Sequence, residues 1–158
     1  MGLIQSVSWD CYGTLLDTSY GGESYGVKEM EKFRARQGAK EALEEIESKR
    51  INQCTCSDGY AGNLINNLTE AEIDVNYFDI LYPMERYQQK DFSQIIEYYR
   101  KFFPKMDFKN LLVIGDNYEL DIVLAKKQKC QTLWLPETLD GIRVPLDVNK
   151  IYEILDIM

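Results

Sequence analysis

LLVIGDNYELD, residues 111–121, decides how the chain is read. Leu111, Leu112, Val113 and Ile114 form an unbroken apolar run that Gly115 closes and the acid Asp116 follows. A short run without polar alternation predicts a central parallel strand covered on both faces. Downstream, the pattern predicts a helix over 120–127, a strand over 131–135 and a closing helix in IYEILDIM, 151–158. Upstream, it predicts a strand over 3–9, a helix over 38–50, a weak strand in INQCTCS (51–57) and a helix over 60–68. A short strand over 78–81 and a helix over 92–103 complete the series. Asn52 and Gln53 are poor occupants of a buried strand, which is why 51–57 is the weakest of these.

Strand and helix alternate throughout, which argues for an open parallel sheet with right-handed crossovers and helices on both faces. In such sheets the functional crevice lies at the carboxyl ends of the strands. Asp10, Ser57 and Asp116 each follow or end a strand, so three residues distant in sequence are expected along one sheet edge. Residues 18–37 are the least regular stretch: SYGGESYG reads as a loop and VKEMEKFRAR as a short helix.

Composition narrows the chemistry. The 158 residues fit one domain, taken as 1–158, and 45% hydrophobic with 28% charged residues describes ordinary globular protein. A formal charge of −8 opposes a phosphate-backbone contact surface, so nucleic acid is not an expected partner. No apolar run approaches the roughly 18–20 residues of a membrane span, and the opening has no basic leader, so no membrane partner and a cytoplasmic location are expected. The four cysteines include no C-x-x-C pair and are expected as buried thiols. The chain contains no histidine, which removes Ser-His and Cys-His nucleophile schemes and leaves carboxylates, lysine or metal for any hydrolysis.

Four motifs in order carry a resemblance: DCYGTL at 10–15, SDG at 57–59, Lys90, and GDNYELD at 115–121. Together they resemble the haloacid dehalogenase-like superfamily of aspartate-nucleophile hydrolases, over nearly the whole chain. The resemblance implies a three-layer α/β/α, Rossmann-like open parallel sheet. It implies Asp10 as nucleophile, Tyr12 at the acid/base position and Lys90 as the cation beside nucleophile and phosphoryl oxygens. Gly13, Thr14, Ser57, Asp58 and Gly59 are the implied phosphate- or substrate-binding set, with Thr55 as the alternative to Ser57 and Arg86 to Lys90. Mg²⁺ is the implied cofactor, held by Asp10, the backbone carbonyl of Tyr12, Asp116 and Asp121. A phosphorylated small molecule or macromolecule is the implied partner.

Two features qualify that resemblance. Family phosphatases usually carry an aspartate where Tyr12 stands, and D-x-Y-G-T is similar to the two-haloacid dehalogenases, whose halide needs no leaving-group acid. GDNYELD, however, resembles the phosphatase form of the fourth motif. Between Asp10 and Ser57 there is room for one helix, one strand and a short insert at 18–37, which implies a capless or nearly capless site. The leading reading is a Mg²⁺-dependent phosphatase. Metal-independent two-haloacid dehalogenation and a weakly active or inactive binding module stand beside it.

Overall fold

The structure, a computed structural model, describes residues 3–18, 33–58, 61–84 and 90–157. The described elements run β1 (Ser6–Trp9), β2 (Leu16–Asp17), β3 (Arg34–Ala35), α1 (Ala39–Ser48), β4 (Asn52–Asp58), α2 (Ala61–Glu70), β5 (Leu81–Met84) and α3 (Ser93–Arg100). They continue with β6 (Leu111–Gly115), a π-helical turn (Tyr118–Val123) leading into α4 (Leu124–Lys127), β7 (Gln131–Trp134), the hairpin β8 (Thr138–Leu139) and β9 (Ile142–Arg143), and α5 (Val148–Leu155). Five strands form one parallel sheet in the order β5-β4-β1-β6-β7. This is the α/β, Rossmann-like sheet that the alternation of strand and helix predicts.

Side-chain alternation along the strands builds the three layers. Val7 and Trp9 of β1, with Leu112 and Ile114 of β6, face one side, where Ala42, Leu43 and Ile46 of α1, Leu64 and Leu68 of α2 and Ile151 of α5 cover them. Leu111 and Val113 face the other side with Cys54 and Cys56, against Ile95, Ile96 and Tyr99 of α3 and Ala125 of α4. Each valine, leucine or isoleucine among them, fully withdrawn from water, contributes roughly 1.5–3 kcal/mol before entropy is subtracted. All four cysteines are free and buried, as expected.

β4 forms despite its polar residues because they are satisfied locally. The buried Gln53 amide donates to Leu43 O (3.1 Å) and accepts from Trp9 Nε1 (2.9 Å), so one glutamine joins strand, neighbouring strand and helix. Several boundaries move from their expected places: the closing helix lies at Val148–Leu155 rather than 151–158, and two further departures have a visible cause. The strand expected at 78–81 lies at Leu81–Met84, because Asp74 caps a 3₁₀ turn over Val75–Tyr77 by accepting from Asn76 N. Pro83 is tolerated there because β5 is the sheet edge. The second correction concerns VKEMEKFRAR: Arg34–Ala35 is not helical but pairs antiparallel with Leu16–Asp17. The rest of the 18–37 insert lies largely outside the described residues, as do Gly59 and Arg86. Among the described residues, no helix is long and apolar enough to cross a membrane.

Candidate active site

β1 sits between β4 and β6, in register Trp9↔Thr55 and Trp9↔Ile114. The chain therefore departs from β1 to one side and returns on the other, which opens a crevice at the carboxyl ends of these strands. Asp10 N donates to Ile114 O (2.9 Å), fixing the first residue beyond β1 against β6. The crevice, about 120 Å³, is lined by Asp10, Tyr12, Ser57, Lys90, Asp116, Asn117, Leu120 and Asp121. Thr55, the alternative to Ser57, is buried within the sheet and does not line it.

Lys90 reaches in from the loop before α3, where Gln128 holds the backbone on both sides: its amide donates to Lys90 O (2.8 Å) and accepts from Phe92 N (2.8 Å). Asp91, which follows the lysine, accepts from Ser93 N (3.0 Å) just ahead of α3. The ammonium donates to Asp10 Oδ1 (2.9 Å) and Asp121 Oδ1 (2.5 Å), with Lys90 and Asp121 almost wholly buried. Burial opposes its charge, but the Asp10 and Asp121 carboxylates outweigh burial and hold Lys90 above the ordinary lysine value.

Thr14 shares its hydroxyl proton between Asp10 Oδ2 (3.2 Å) and Asp116 Oδ1 (3.3 Å), joining the two acids across the crevice. Asp121 Oδ2 accepts from Asn117 N (3.1 Å), and Asn117 Oδ1 caps the π turn from below by accepting from Leu120 N (3.0 Å). Two glycines give these acids room. A Cβ on Gly13, whose φ is 91°, would overlap the Asp116 carboxylate, and one on Gly115 would overlap that of Asp121.

One carboxylate oxygen from each of Asp10, Asp116 and Asp121 lies within 4.8 Å of the others. Three acids around one lysine leave an excess of negative charge. Burial, then the neighbouring Asp10 and Asp121 groups, push the Asp116 carboxyl up to about 8. Burial and Asp10 also raise Asp121, against the pull of Lys90. A crowded all-oxygen donor set of this kind suits a hard divalent cation. Opposite the acids, Ser57 Oγ is buried beside the Cys11 thiol and has no hydrogen-bond partner among the described residues, leaving a donor free for a bound group.

Tyr12 turns its ring toward α2 and the β3 approach. Its hydroxyl accepts from Asn67 Nδ2 (2.6 Å), and its ring stands edge-on to Phe33 at 6.1 Å. The residue at the acid/base position is thus drawn into packing with a helix. Asp58 contributes the last residue of β4 to the sheet, in register with Met84.

Arg36 escapes a sequence reading altogether. It lies in a charged stretch, yet it is 3% exposed, and its guanidinium donates to Gly13 O (3.2 Å), Leu135 O (2.9 Å), Pro136 O (2.7 Å), Val144 O (3.2 Å) and Pro145 O (3.4 Å). It ties the turn after the Asp10 strand to the chain beyond β7. No local pattern separates such an arginine from a solvated one.

A parallel sheet with a carboxylate beyond its central strand, a buried lysine bound to it and further acids beyond the neighbouring strand defines an aspartate-centred α/β hydrolase fold. The chain belongs to the haloacid dehalogenase-like hydrolases, whose family pattern matches residues 20–135. The fold is similar to that of a putative β-phosphoglucomutase from Thermotoga maritima, with TM-score 0.70, 15% identity and coverage of 97% of this chain and 99% of the other. A dehalogenase solved with an intermediate complex aligns with TM-score 0.70 and 13% identity over 98% of each chain. The N-terminal part of a Bacteroides fragilis protein, containing a phosphatase domain complexed with Mg, aligns with TM-score 0.61 and 12% identity over 86% of this chain and 37% of the other. No curated protein matches the chain.

Proposed function

We propose that the chain is a Mg²⁺-dependent phosphatase of capless build, acting in the cytoplasm on a phosphorylated small molecule or macromolecule, with Asp10 as nucleophile. The observation that carries the reading is the cluster of Asp10, Asp116 and Asp121 around a single lysine, since a carboxylate site this acidic needs a cation before an anionic ester can enter. The Bacteroides fragilis neighbour, a phosphatase domain complexed with Mg, supports the same choice.

Asp10 and Asp116, with Asp121 and the Tyr12 carbonyl, would hold the ion. Bound there, Mg²⁺ supplies charge neutralisation for the incoming phosphoryl group. Asp10 forms a bond to phosphorus while the leaving oxygen departs with its bonding pair. Lys90 stays beside Asp10 and balances charge that builds on the phosphoryl oxygens. Ser57 offers its unpaired hydroxyl to one of those oxygens, and Gly13 and Thr14 shape the turn that presents Asp10. By sequence alone, Asp58 and Gly59 extend the phosphate-binding set. Water then adds to phosphorus, the bond to Asp10 breaks, and the carboxylate and inorganic phosphate are restored.

The test is Asp10→Asn, assayed with p-nitrophenyl phosphate and Mg²⁺. An amide is no anionic nucleophile, so turnover should vanish while the variant stays folded. Activity at the wild-type level would place the chemistry elsewhere.

Tyr12 favours one second reading, carbon–halogen hydrolysis, in which no acid is required for the leaving halide. Release of halide from a 2-haloalkanoate in chelator, with no phosphatase activity in Mg²⁺, would put that reading first.

A further inference from the structure

Three exposed apolar side chains belong to, or contact, the segment that carries Asp116 and Asn117 into the crevice. Leu120 is 48% exposed and lines the crevice itself. Trp134, 45% exposed, donates from Nε1 to the backbone carbonyl of Asp116 (2.9 Å), which ties the indole to the residue that carries the acid. Tyr118, 41% exposed, meets it edge-on with ring centroids 5.1 Å apart. The sequence explains the grouping: Tyr118 and Leu120 share the turn after β6, and Trp134 pairs with Gly115 from the next strand. Exposed apolar groups joined to a polar site mark binding surfaces more often than isolated ones do.

An independent observation concerns the leaving group. Among the described residues no carboxyl that lines the crevice is left to protonate it: Asp10 is the nucleophile, Asp121 is bound to Lys90 and Asn117, and Asp116 would hold the ion. Position 12 has no carboxyl group, and its phenol, drawn toward α2 by accepting from Asn67 Nδ2, is a weak acid with a reference pKa of ~10. The leaving oxygen must therefore depart as an anion. A phenolate does so readily, since a phenol ionises near pH ~10, whereas an alkoxide is about as basic as hydroxide.

We infer that the crevice takes aryl phosphomonoesters, the chemistry of a phosphotyrosyl side chain, with the ring seated against Tyr118, Leu120 and Trp134 and the phosphoryl group facing Asp10. The inference rests on the phosphatase reading above. In the reaction, the Asp10 carboxylate bonds to phosphorus and the phosphorus–aryl oxygen bond breaks, its electron pair leaving on the phenolate, which takes a proton from solvent. Water then displaces Asp10, giving one phenol and one inorganic phosphate for each ester and water consumed.

The test compares O-phosphotyrosine with O-phosphoserine, which share an amino-acid frame and differ in the ring, both in Mg²⁺. We expect kcat/KM at least tenfold higher for O-phosphotyrosine. Tyr118→Ala and Leu120→Ala should each raise KM for it about three- to tenfold, with a smaller effect on acetyl phosphate, which has no ring. A phosphotyrosyl peptide turned over faster than the free amino acid would place the ester on a protein, and the reverse order would place it on a small molecule; either supports an aryl ester. Equal kcat/KM for the two amino-acid esters overturns the inference and leaves the phosphatase reading standing. A tyrosyl preference unmoved by both variants overturns the seat on the rim. No hydrolysis of acetyl phosphate or p-nitrophenyl phosphate overturns the phosphatase reading, and the inference falls with it.

Discussion

The Asp116 carboxylate occupies the space in which a side chain on Gly13 would stand, so the turn after β1 and the acid beyond β6 fit together only because residue 13 has no Cβ. Gly13→Ala meets two penalties at once. An L-residue at φ 91° is strained by about 1–2 kcal/mol, and the methyl displaces Asp116. Urea denaturation should show a loss of at least that size, and calorimetry a weaker Mg²⁺ affinity. Wild-type values for both would mean that the turn and the acid are not coupled.

Lys90→Met removes the cation that Asp10 and Asp121 share. Breaking a buried pair from one side destabilises by about 3–5 kcal/mol, because the remaining charge stays buried without a partner. Lys90→Met combined with Asp121→Asn should recover part of that loss. A single variant within 1 kcal/mol of wild type in metal-free buffer would be the contrary result.

Proton and cation compete for Asp116. Its folded-state carboxyl is raised to about 8, above the ~3.9 of an unfolded chain. The folded protein therefore keeps a proton that the unfolded chain releases. Without metal, this group's contribution to stability is full below about pH 4, falls as pH rises through the window from about 4 to about 8, and is flat above it. Mg²⁺ must displace that proton, so its affinity should rise with pH up to about 8, approaching tenfold per unit, and then level off. Calorimetric titrations at pH 6, 7 and 8.5 check this, and Asp116→Asn should lose both the binding and its pH dependence. A pH-independent affinity would sink the assignment.

Tyr12→Asp restores a carboxyl group at the position where family phosphatases carry one. It should raise steady-state hydrolysis of p-nitrophenyl phosphate about tenfold or more, within the range of general acid–base contributions. Because the nitrophenolate leaves unaided, the gain falls on hydrolysis of the aspartyl intermediate. Wild type should then show a burst followed by slow turnover, and the variant a faster linear phase. A folded, Mg²⁺-binding variant with no gain would mean that Tyr12 does not replace an acid.

How much of this was legible in the sequence depended on whether the cause was local. LLVIGD announced β6 because a strand buried on both faces carries an unbroken apolar run, and the order of motifs brought Asp10, Ser57, Lys90 and Asp116 toward one crevice. β4 was read weakly because Gln53 looks out of place until Trp9 and Leu43 supply its partners, which lie far away in sequence. The pattern sets β5 too early because an aspartate cap at Asp74 competes with strand propensity. Arg36 and the Tyr12–Asn67 bond gave no signal, since a charged stretch and a turn tyrosine read alike whether buried or solvated.

The clasp around Arg36 bears on how the scaffold tolerates change. Thr18 is fastened to Glu137 through backbone N and hydroxyl, Phe33 N to Glu70, and Arg36 to five separate carbonyls. The described residues on either side of 19–32 are thus anchored separately and stand together where β2 pairs with β3. Closing a longer loop between ends already joined costs only about 0.6 kcal/mol per doubling of its length. Changes of length or sequence between residues 18 and 33 should therefore leave the Asp10 turn in place, since Arg36 and the β2–β3 pair hold it through residues outside that stretch.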